Sequence, residues 1–505
     1  MSELDDLVEV IRQGPSGPEI GAIFDFDGTL IEGYSAGALY QHRARNFEIG
    51  PDEMVRTLVA ALRGPLDEPG FTELMERGIR GWAGRSEDEL LELGDQLFEG
   101  GIGGALFHGA WRLVRAHQNK GHTVVIATSA TRLQVSRMAQ ELEVEHILCT
   151  NLEIEGGVVT GRVAGRALWG PGKIAAVETF AGQHGVDLQR SHAYANGDED
   201  VPLLEAVGSP HPVNPQSRLA EHAKRQGWSA VSFSGRQGGL DPRPALRTAA
   251  MFGSLVAAAG AGILAGALTQ DRRYGVDLAT TVFGDIAGPL GNIRTTVIGE
   301  QHVWSHRPAV FFANHQSTLI DVLVTSKLLR DGFTIVAKKE VKKMPILGPM
   351  FDLAGVAFID RASRSSAISE LQDAVEKLRA GISIAIAPEG TRSMTPRIGA
   401  FKKGGFHLAR DAGVPIVPIV IRNAGEIMWP NAMTSQEGTV EVVVHEPLPT
   451  VGWTRADIDV WLPRVHQLYI DTLDDWPGTG AGERWRAAIA AAEGAAIGDA
   501  ETAVE

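Results

Sequence analysis

Residues Ala249 to Leu268, AAMFGSLVAAAGAGILAGAL, divide this chain in two. They carry no charge, and Ser254 is their one strong side-chain hydrogen-bonding group. Arg247 stands before them, and Arg272 and Arg273 follow. At about 1.5 Å per residue, a helix of this length matches the thickness of a bilayer core. It is rich in Gly and Ala rather than Leu, and Gly262-x-x-x-Gly266 offers a face for small-residue packing, through which an oligomer could form. Three readings stand open: a membrane span, a helix lying in the membrane face, or a buried helix of a soluble core. The residues on either side spell different chemistries.

At 505 residues the chain exceeds one ordinary core, and two to four domains are expected. Apolar residues at 44% and charged ones at 22% are globular values, which argues against a multispanning membrane protein. A net charge of -15 argues against a general nucleic-acid binder. Cys149 is the only cysteine, so an internal disulfide and a cysteine-based zinc site are excluded, in keeping with a reducing compartment. The start, MSELDDLVEVIRQG, is acidic and amphipathic and lacks the basic flank and apolar core of a secretory signal. The catalytic parts are therefore expected at the cytoplasmic face of the cell membrane.

Ala22-Ile-Phe-Asp-Phe-Asp-Gly-Thr-Leu30 reads as an apolar strand ending in two carboxylates, with Gly28 allowing a sharp turn. Side chains at i and i+2 of a strand point the same way. Two like charges side by side are costly unless a cation lies between them or one has a separate task. His122 to Ala130 reads as a second strand, ending in the hydroxyls of Thr128 and Ser129. Trp169-Gly-Pro-Gly-Lys173 opens a helix, and Tyr194-Ala-Asn-Gly-Asp-Glu-Asp-Val-Pro-Leu-Leu204 is an acidic loop. His192–Ala195 and Pro210–Pro215 read as further parallel strands, and Glu153–Val163, with Gly156-Gly157 at its middle, as a surface hairpin.

These four segments, in order over residues 20–235, resemble the motifs of the haloacid dehalogenase superfamily of phosphatases. A helical insert at about residues 35–105 resembles the cap of its phosphoserine-phosphatase-like branch. The resemblance implies a Rossmann-like α/β fold and a Mg2+-dependent chemistry. Asp25 would form an aspartyl-phosphate, Asp27 would serve as acid and then base, and Ser129 and Lys173 would hold the phosphoryl oxygens. Asp25, Asp27 and the acidic loop would hold the metal. The loop departs from the family pattern: the position of its usual first aspartate is Asn196, with Asp198 an alternative and Asp200 the final acid.

Ser234–Pro244, rich in Gly and Pro, reads as the linker. Beyond the apolar stretch, Val276–Ile293 is weakly amphipathic and interrupted by Gly-Pro, so residues 245–293 are expected as a membrane-touching pair of helices. Ala309–Ser317 is a buried strand delivering His315, with Asp321 downstream. Gly355–Arg361, Ala387–Ser393 and Val414–Ile419 follow.

Together these blocks resemble the glycerolipid acyltransferases, specifically the 1-acylglycerol-3-phosphate acyltransferases, over about residues 300–450. The resemblance implies that His315 takes the acceptor hydroxyl's proton while Asp321 orients it, and that Arg361, with Glu389, Gly390 and Arg392, shapes the phosphate pocket. It implies lysophosphatidic acid and acyl-CoA, or acyl carrier protein, as substrates. Five residues separate His315 from Asp321 where the family has four; on a helix one extra residue turns a side chain by about 100°. Lys338, Lys339, Lys342, Lys343, Lys402 and Lys403 form a basic neighbourhood, a solvated surface or a site for anionic lipid heads.

The expected organisation is a phosphatase domain at 1–235, linker and membrane-associated helices at 236–293, an α/β acyltransferase domain at 294–477 with an amphipathic helix at Arg455–Leu473, and a low-complexity tail at 478–505 that reads as a loose helix fading into disorder. The expected function is a bifunctional enzyme of phospholipid synthesis, with a small phosphomonoester as second substrate and membrane lipid as partner. An acyltransferase carrying a non-catalytic phosphatase-like scaffold is the alternative.

Overall fold

The computed structural model describes residues 3–45, 68–233, 242–339, 356–359, 364–430 and 432–502, with Lys342 and Gly348. It forms two compact units, Met1–Gln237 and Gly238–Glu505. The expected linker falls largely outside the described residues, as does part of the helical insert.

The first unit is a Rossmann-like layered fold. Its strands are β1 (Gly21–Phe24), β2 (Thr123–Thr131), β3 (His146–Thr150), β6 (His192–Ala195) and β7 (Ser209–Pro212), all parallel in the order β3-β2-β1-β6-β7. β1 lies at the centre with all four residues buried. The amphipathic α1 (Glu3–Gln13) buries Val8 and Ile11. The expected hairpin forms as β4 (Leu152–Glu155) and β5 (Val158–Val163), turning at Gly156 and Gly157. Among the described insert residues, α2 (Ser35–Arg45) and helices Glu68–Ile79 and Glu87–Leu97 bear out its helical character. The helix at Glu87 starts on a capping box between Ser86 and Glu89.

A knot of imidazoles fills one side of this sheet. His117 Nδ1 lies 2.8 Å from His122 Nδ1, and its Nε2 lies 2.8 Å from the Tyr194 hydroxyl. His192 Nδ1 lies 3.1 Å from His211 Nε2, and His122 Nε2 meets the Pro15 carbonyl at 3.0 Å. Burial first, and then their mutual proximity, lowers His117, takes His192 down to about 4 and takes His211 down to about 3. His122 is also lowered, mainly by burial; Lys120 adds to the shift, and the Pro15 carbonyl and Glu19 oppose it.

These imidazoles are neutral in the folded unit, whereas in the unfolded chain they take up protons near pH 6.5. Below that pH the unfolded chain binds more protons, so stability is fully present above pH 6.5 and is lost as the pH falls toward the folded values. The slope is roughly 1.4 kcal/mol per pH unit for each fully buried imidazole. Urea-dependent proteolysis at pH 7, 6 and 5, with surviving fragments weighed by mass spectrometry, should show the fragment covering residues 3–233 failing at progressively lower urea. An unchanged midpoint would contradict the buried neutral cluster.

The second unit carries a seven-stranded sheet in the order β11-β10-β12-β9-β13-β14-β8. The strands are β8 (Ile293–Ile298), β9 (Val310–Ala313), β10 (Phe333–Lys338), β11 (Ala357–Ile359), β12 (Ser383–Ile386), β13 (Ile416–Ile421) and β14 (Gly438–Val444). β13 and β14 pair antiparallel, and every other neighbouring pair is parallel. β9 sits centrally with Val310, Phe311 and Phe312 fully buried.

The apolar stretch forms α5 (Arg243–Thr269), which turns back into α6 (Arg272–Gly291). Only 17% of the apolar window of α5 is buried, which removes the buried-core reading. Met251 and Ala258 of α5 face inward, while Leu246, Val256, Ile263, Leu264 and Leu268 are exposed. Helix α6 behaves differently: Phe283 and Ala287 are buried in the core beneath it. The expected Gly-Pro interruption does not break it: the helix runs through Pro289 and continues to Gly291. A Cβ on Gly262 would lie 2.3 Å from the Gly275 carbonyl oxygen. The small-residue face thus packs against α6 of the same chain.

The tail forms the helix read for it, but the start of that helix is packed rather than loose. Helix α8 (Arg455–Asp474) forms as the amphipathic pattern predicts, and α9 (Thr479–Thr502) follows. Its first turns pack into the core through Ala481, Trp485 and Ile489, and Trp485 Nε1 donates to the Glu446 carbonyl at 2.9 Å. Periodically placed Trp and Ile outweigh the surrounding Ala and Gly.

Candidate active sites

In the first unit the motif residues gather where β1, β2 and β6 end, the usual ligand edge of a parallel sheet. Asp25 is buried; its Oδ1 accepts from Lys173 Nζ at 2.9 Å and its Oδ2 from Thr29 Oγ1 at 3.1 Å. Lys173, on α4 (Pro171–His184), also donates to Asp200 Oδ1 at 2.6 Å. Burial alone would lower the Lys173 ammonium, but Asp200 and Asp25 together raise it above its ordinary value. Burial pushes the Asp200 carboxyl up, and Lys173 offsets this only in part.

Asp27 is held differently. Its Oδ1 accepts from the Ser35 amide at 2.7 Å and its Oδ2 from Ser35 Oγ at 3.1 Å. Burial, with a further push from Asp25, raises its carboxyl to about 7 against the opposing bonds from Ser35. A proton held near neutrality is what a general acid and base requires.

Asn196 packs on the Gly28 turn, where φ is +77° and a Cβ would lie 2.1 Å from Asn196 Nδ2. Its Oδ1 receives Thr29 Oγ1 at 3.4 Å, so one hydroxyl links it to Asp25. Asp198 is engaged elsewhere: its Oδ1 accepts from the Leu219 amide at 2.8 Å. Of the candidate ligands, Asp198 is thus tied to the following helix, and Asp200 shares Lys173 with Asp25. Ser129 is half-buried near the end of β2, with its carbonyl accepting from Thr150 Oγ1 at 2.8 Å.

The oxygen donors fit a Mg2+ ion. It needs only one or two carboxylates and keeps several waters, and Asp200 Oδ2 is buried without a hydrogen-bond partner. Among the described residues no three His, Cys, Asp or Glu side chains converge tightly enough to hold a metal alone. The amide of Asn196 and waters would therefore complete the set.

In the second unit His315 leaves the end of β9, and α7 (Thr318–Leu329) starts three residues later. His315 Nδ1 lies 2.7 Å from Asp321 Oδ2, which also accepts from the Gln316 and Ser317 amides at 3.0 and 2.9 Å. The five-residue spacing is absorbed here. His315 to Ser317 form a loop ahead of the helix, and the loop wraps its amides around the carboxylate. Asn314 pins the strand end, its amide group bonding both ways with the Ile421 backbone at 2.8 and 2.7 Å.

Glu389 closes the loop from β12's side. Its Oε1 accepts from the His315 amide at 2.9 Å, and its Oε2 from Ser393 Oγ and the Gly399 amide, each at 2.7 Å. Burial raises its carboxyl despite these bonds. Gly390 turns with φ +76°, and Arg392 donates to Thr318 Oγ1 at 3.1 Å and the Pro430 carbonyl at 3.0 Å. A cavity of about 820 Å³ opens at His315 and Arg392 and runs under α5 and α6, between Ile263, Ala279, Phe283 and Ile335.

A family model for haloacid dehalogenase-like hydrolases matches residues 22–205, and one for acyltransferases matches residues 294–422. Phosphoserine phosphatase SerB1 of Mycobacterium tuberculosis is 30% identical over 226 residues, 44% of this chain and 73% of the relative. An uncharacterized acyltransferase of Schizosaccharomyces pombe is 34% identical over 204 residues, 39% of this chain and 73% of the relative. The chain belongs to both families. A 1-acyl-sn-glycerol-3-phosphate acyltransferase of Saccharomyces cerevisiae is 35% identical over 182 residues, 35% of this chain, and the match spans 59% of that relative.

In this fused hydrolase–acyltransferase, the structure brings together Asp25, Asp27, Lys173, Asn196 and Asp200 in one unit. It brings together His315, Asp321, Glu389 and Arg392 in the other. Arg361 and Lys343 lie outside the described residues, as does the Lys338 side chain. Lys403 pairs with Asp459, Lys342 lies 4.5 Å from the Phe358 ring, and Lys339 and Lys402 are exposed. Sequence reading missed Thr29, Ser35 and Gln134 in the hydrolase. Only the Thr131-x-x-Gln134 capping pattern marked the last.

Proposed function

We propose that the acyltransferase unit moves an acyl group from acyl-CoA or acyl carrier protein to lysophosphatidic acid, giving phosphatidic acid. The hydrolase unit cleaves a small phosphomonoester. The fusion of the two families supports acyl transfer and phosphate hydrolysis in general. The observation that carries the finer reading is the His315–Asp321 pair opening on a large apolar cavity.

With Nδ1 facing Asp321, His315 offers Nε2 to the acceptor hydroxyl, takes its proton as the oxygen attacks the thioester carbonyl, and returns it to the leaving thiolate. Asp321 steadies the imidazolium, and its two backbone donors hold it in place. Arg392, with Arg361, supplies charge for the acceptor's phosphate. The cavity falls in the size range of ligand pockets and is walled by apolar side chains, which suits an acyl chain. The exposed apolar face of α5 would rest in the cytoplasmic leaflet and feed lipid to it.

In the hydrolase unit Asp25 attacks phosphorus, forming an aspartyl-phosphate, while Asp27 gives its proton to the leaving oxygen. Asp27 then takes a proton from the water that attacks the intermediate. Lys173 and Ser129 receive the phosphoryl oxygens. Mg2+, held by Asp25, Asn196 and the Asp200 side of the loop, would neutralise charge on the transferring group.

The test is transfer of labelled acyl-CoA to lysophosphatidic acid by detergent-purified protein, with phosphate release followed in the same tubes. Labelled phosphatidic acid supports the assignment, and its absence with donor and acceptor verified overturns it. The cavity makes a further expectation: Ala279→Trp should shift donor preference toward shorter acyl chains, read as the ratio of rates with long- and short-chain acyl-CoA. An unchanged ratio would remove the cavity from acyl binding.

A further inference from the structure

Asp27 is not held by Ser35 alone; a directed chain of hydrogen bonds stands behind that contact. The Thr131 amide and Thr131 Oγ1 both reach Gln134 Oε1, at 2.9 and 2.7 Å. A backbone N–H can only donate, so the Gln134 atom it meets is the carbonyl oxygen and the opposite atom is the NH2. That NH2 donates to Ser35 Oγ at 2.9 Å. With one of its lone pairs taken, the Ser35 hydroxyl turns its own proton to Asp27 Oδ2 at 3.1 Å. Thr131, Gln134 and Ser35 are all buried, so water does not supply competing partners.

The chain joins separate parts of the hydrolase. Thr131 and Gln134 form the capping box of α3 (Arg132–Glu141), directly after the β2 segment that holds Ser129. Ser35 is the first residue of α2, where the helical insert begins. We propose that Gln134, acting through Ser35, is a positioning residue that fixes the Asp27 carboxylate for proton transfer. This rests on the phosphatase reading above. No part of the chain touches the substrate: Gln134 orders a hydroxyl, and that hydroxyl orders the carboxylate. The start of the insert is thereby tied to the same proton-carrying group, so displacement of α2 would loosen Asp27.

Gln134→Glu tests the direction of the chain with little change of shape. The glutamate still accepts from Thr131 but cannot donate to Ser35, whose hydroxyl can then turn away from Asp27. An alkyl phosphate has a poor leaving group and needs an acid, whereas p-nitrophenyl phosphate departs largely unaided. Gln134→Glu should therefore lower kcat for O-phosphoserine or glycerol phosphate about tenfold, a part of the roughly 10²- to 10⁴-fold that general acid–base catalysis supplies. With p-nitrophenyl phosphate it should leave the first step nearly unchanged and slow the second, so that about one equivalent of nitrophenol appears as a burst. Ser35→Ala should do the same, and the double variant should be no worse than Ser35→Ala alone. Equal losses on both substrates without a burst, or additive losses in the double variant, would overturn the proposal.

Failure of the phosphatase reading would look different: wild type would show no phosphate release that depends on Asp25. In that event the side-chain amide protons of Gln134, followed by nuclear magnetic resonance in the full chain, decide the network. They should exchange slowly in wild type and fast in Ser35→Ala; fast exchange in wild type overturns it.

Discussion

His315→Ala should lower acyl transfer on the order of 10²- to 10⁴-fold, with phosphate release unchanged. The imidazole is the group placed to move a proton at the polar end of the cavity, and Asp321 fixes which nitrogen is offered. The loss should appear in kcat, because in the proposed binding mode the acyl chain and the acceptor phosphate are held by other groups. The fold should survive, since Asp321 Oδ2 keeps the Gln316 and Ser317 amides and the His315 backbone keeps Glu389. Steady-state acylation with labelled acyl-CoA, beside a thermal unfolding curve, checks both halves. Near-wild-type acylation by a folded His315→Ala protein would remove His315 from the mechanism and leave its pairing with Asp321 as structure only.

Asp25→Asn should abolish phosphate release, by on the order of 10⁵-fold or more, and leave acylation intact. An amide does not form the acyl-phosphate, and no neighbour can replace the nucleophile: Asp27 is committed to Ser35, and Asp200 to Lys173. Lys173 keeps one buried carboxylate in the variant, so the site retains a partner for the ammonium. Chelation of divalent metal should silence the same activity in wild type, and added Mg2+ should restore it. Phosphate release that survives both treatments would refute the aspartyl-phosphate route. A wild-type protein with no release would favour the scaffold alternative, in which Asn196 and the Lys173 bridge are the end state of a retired site.

Much of this protein is legible in the order of its residues. A strand rich in Ile and Phe that ends in Asp25 and Asp27 must present both at one edge, since alternate strand residues share a face. The turn after it needs a glycine, and the structure gives the reason twice: a positive φ at Gly28 and Asn196 pressed against its missing side chain. His315 at the end of an apolar strand is legible through the three blocks that follow it, which together resemble the acyltransferases.

Other features required partners far away in the chain. The spacing from His315 to Asp321 looked one residue too long for a helix, and only the folded loop, closed by Glu389 74 residues on, shows the dyad intact. Which helix is covered depended on contacts across the fold: α6 buries Phe283 and Ala287 in the core, while only 17% of the apolar window of α5 is buried. Helix α9 was legible as a helix, but its docking through Trp485 to the Glu446 carbonyl was not. Asp198 and Asp200 are equal as letters. Position separates them, with one accepting from a helix amide and the other sharing a buried ammonium with Asp25. The sequence by itself thus determined the two families, the strands and the reactive groups, because strand alternation and turn chemistry act between near neighbours. The tertiary structure alone decided which carboxylates meet, which helix is covered and what orients Asp27, because those depend on contacts between residues tens to more than a hundred positions apart.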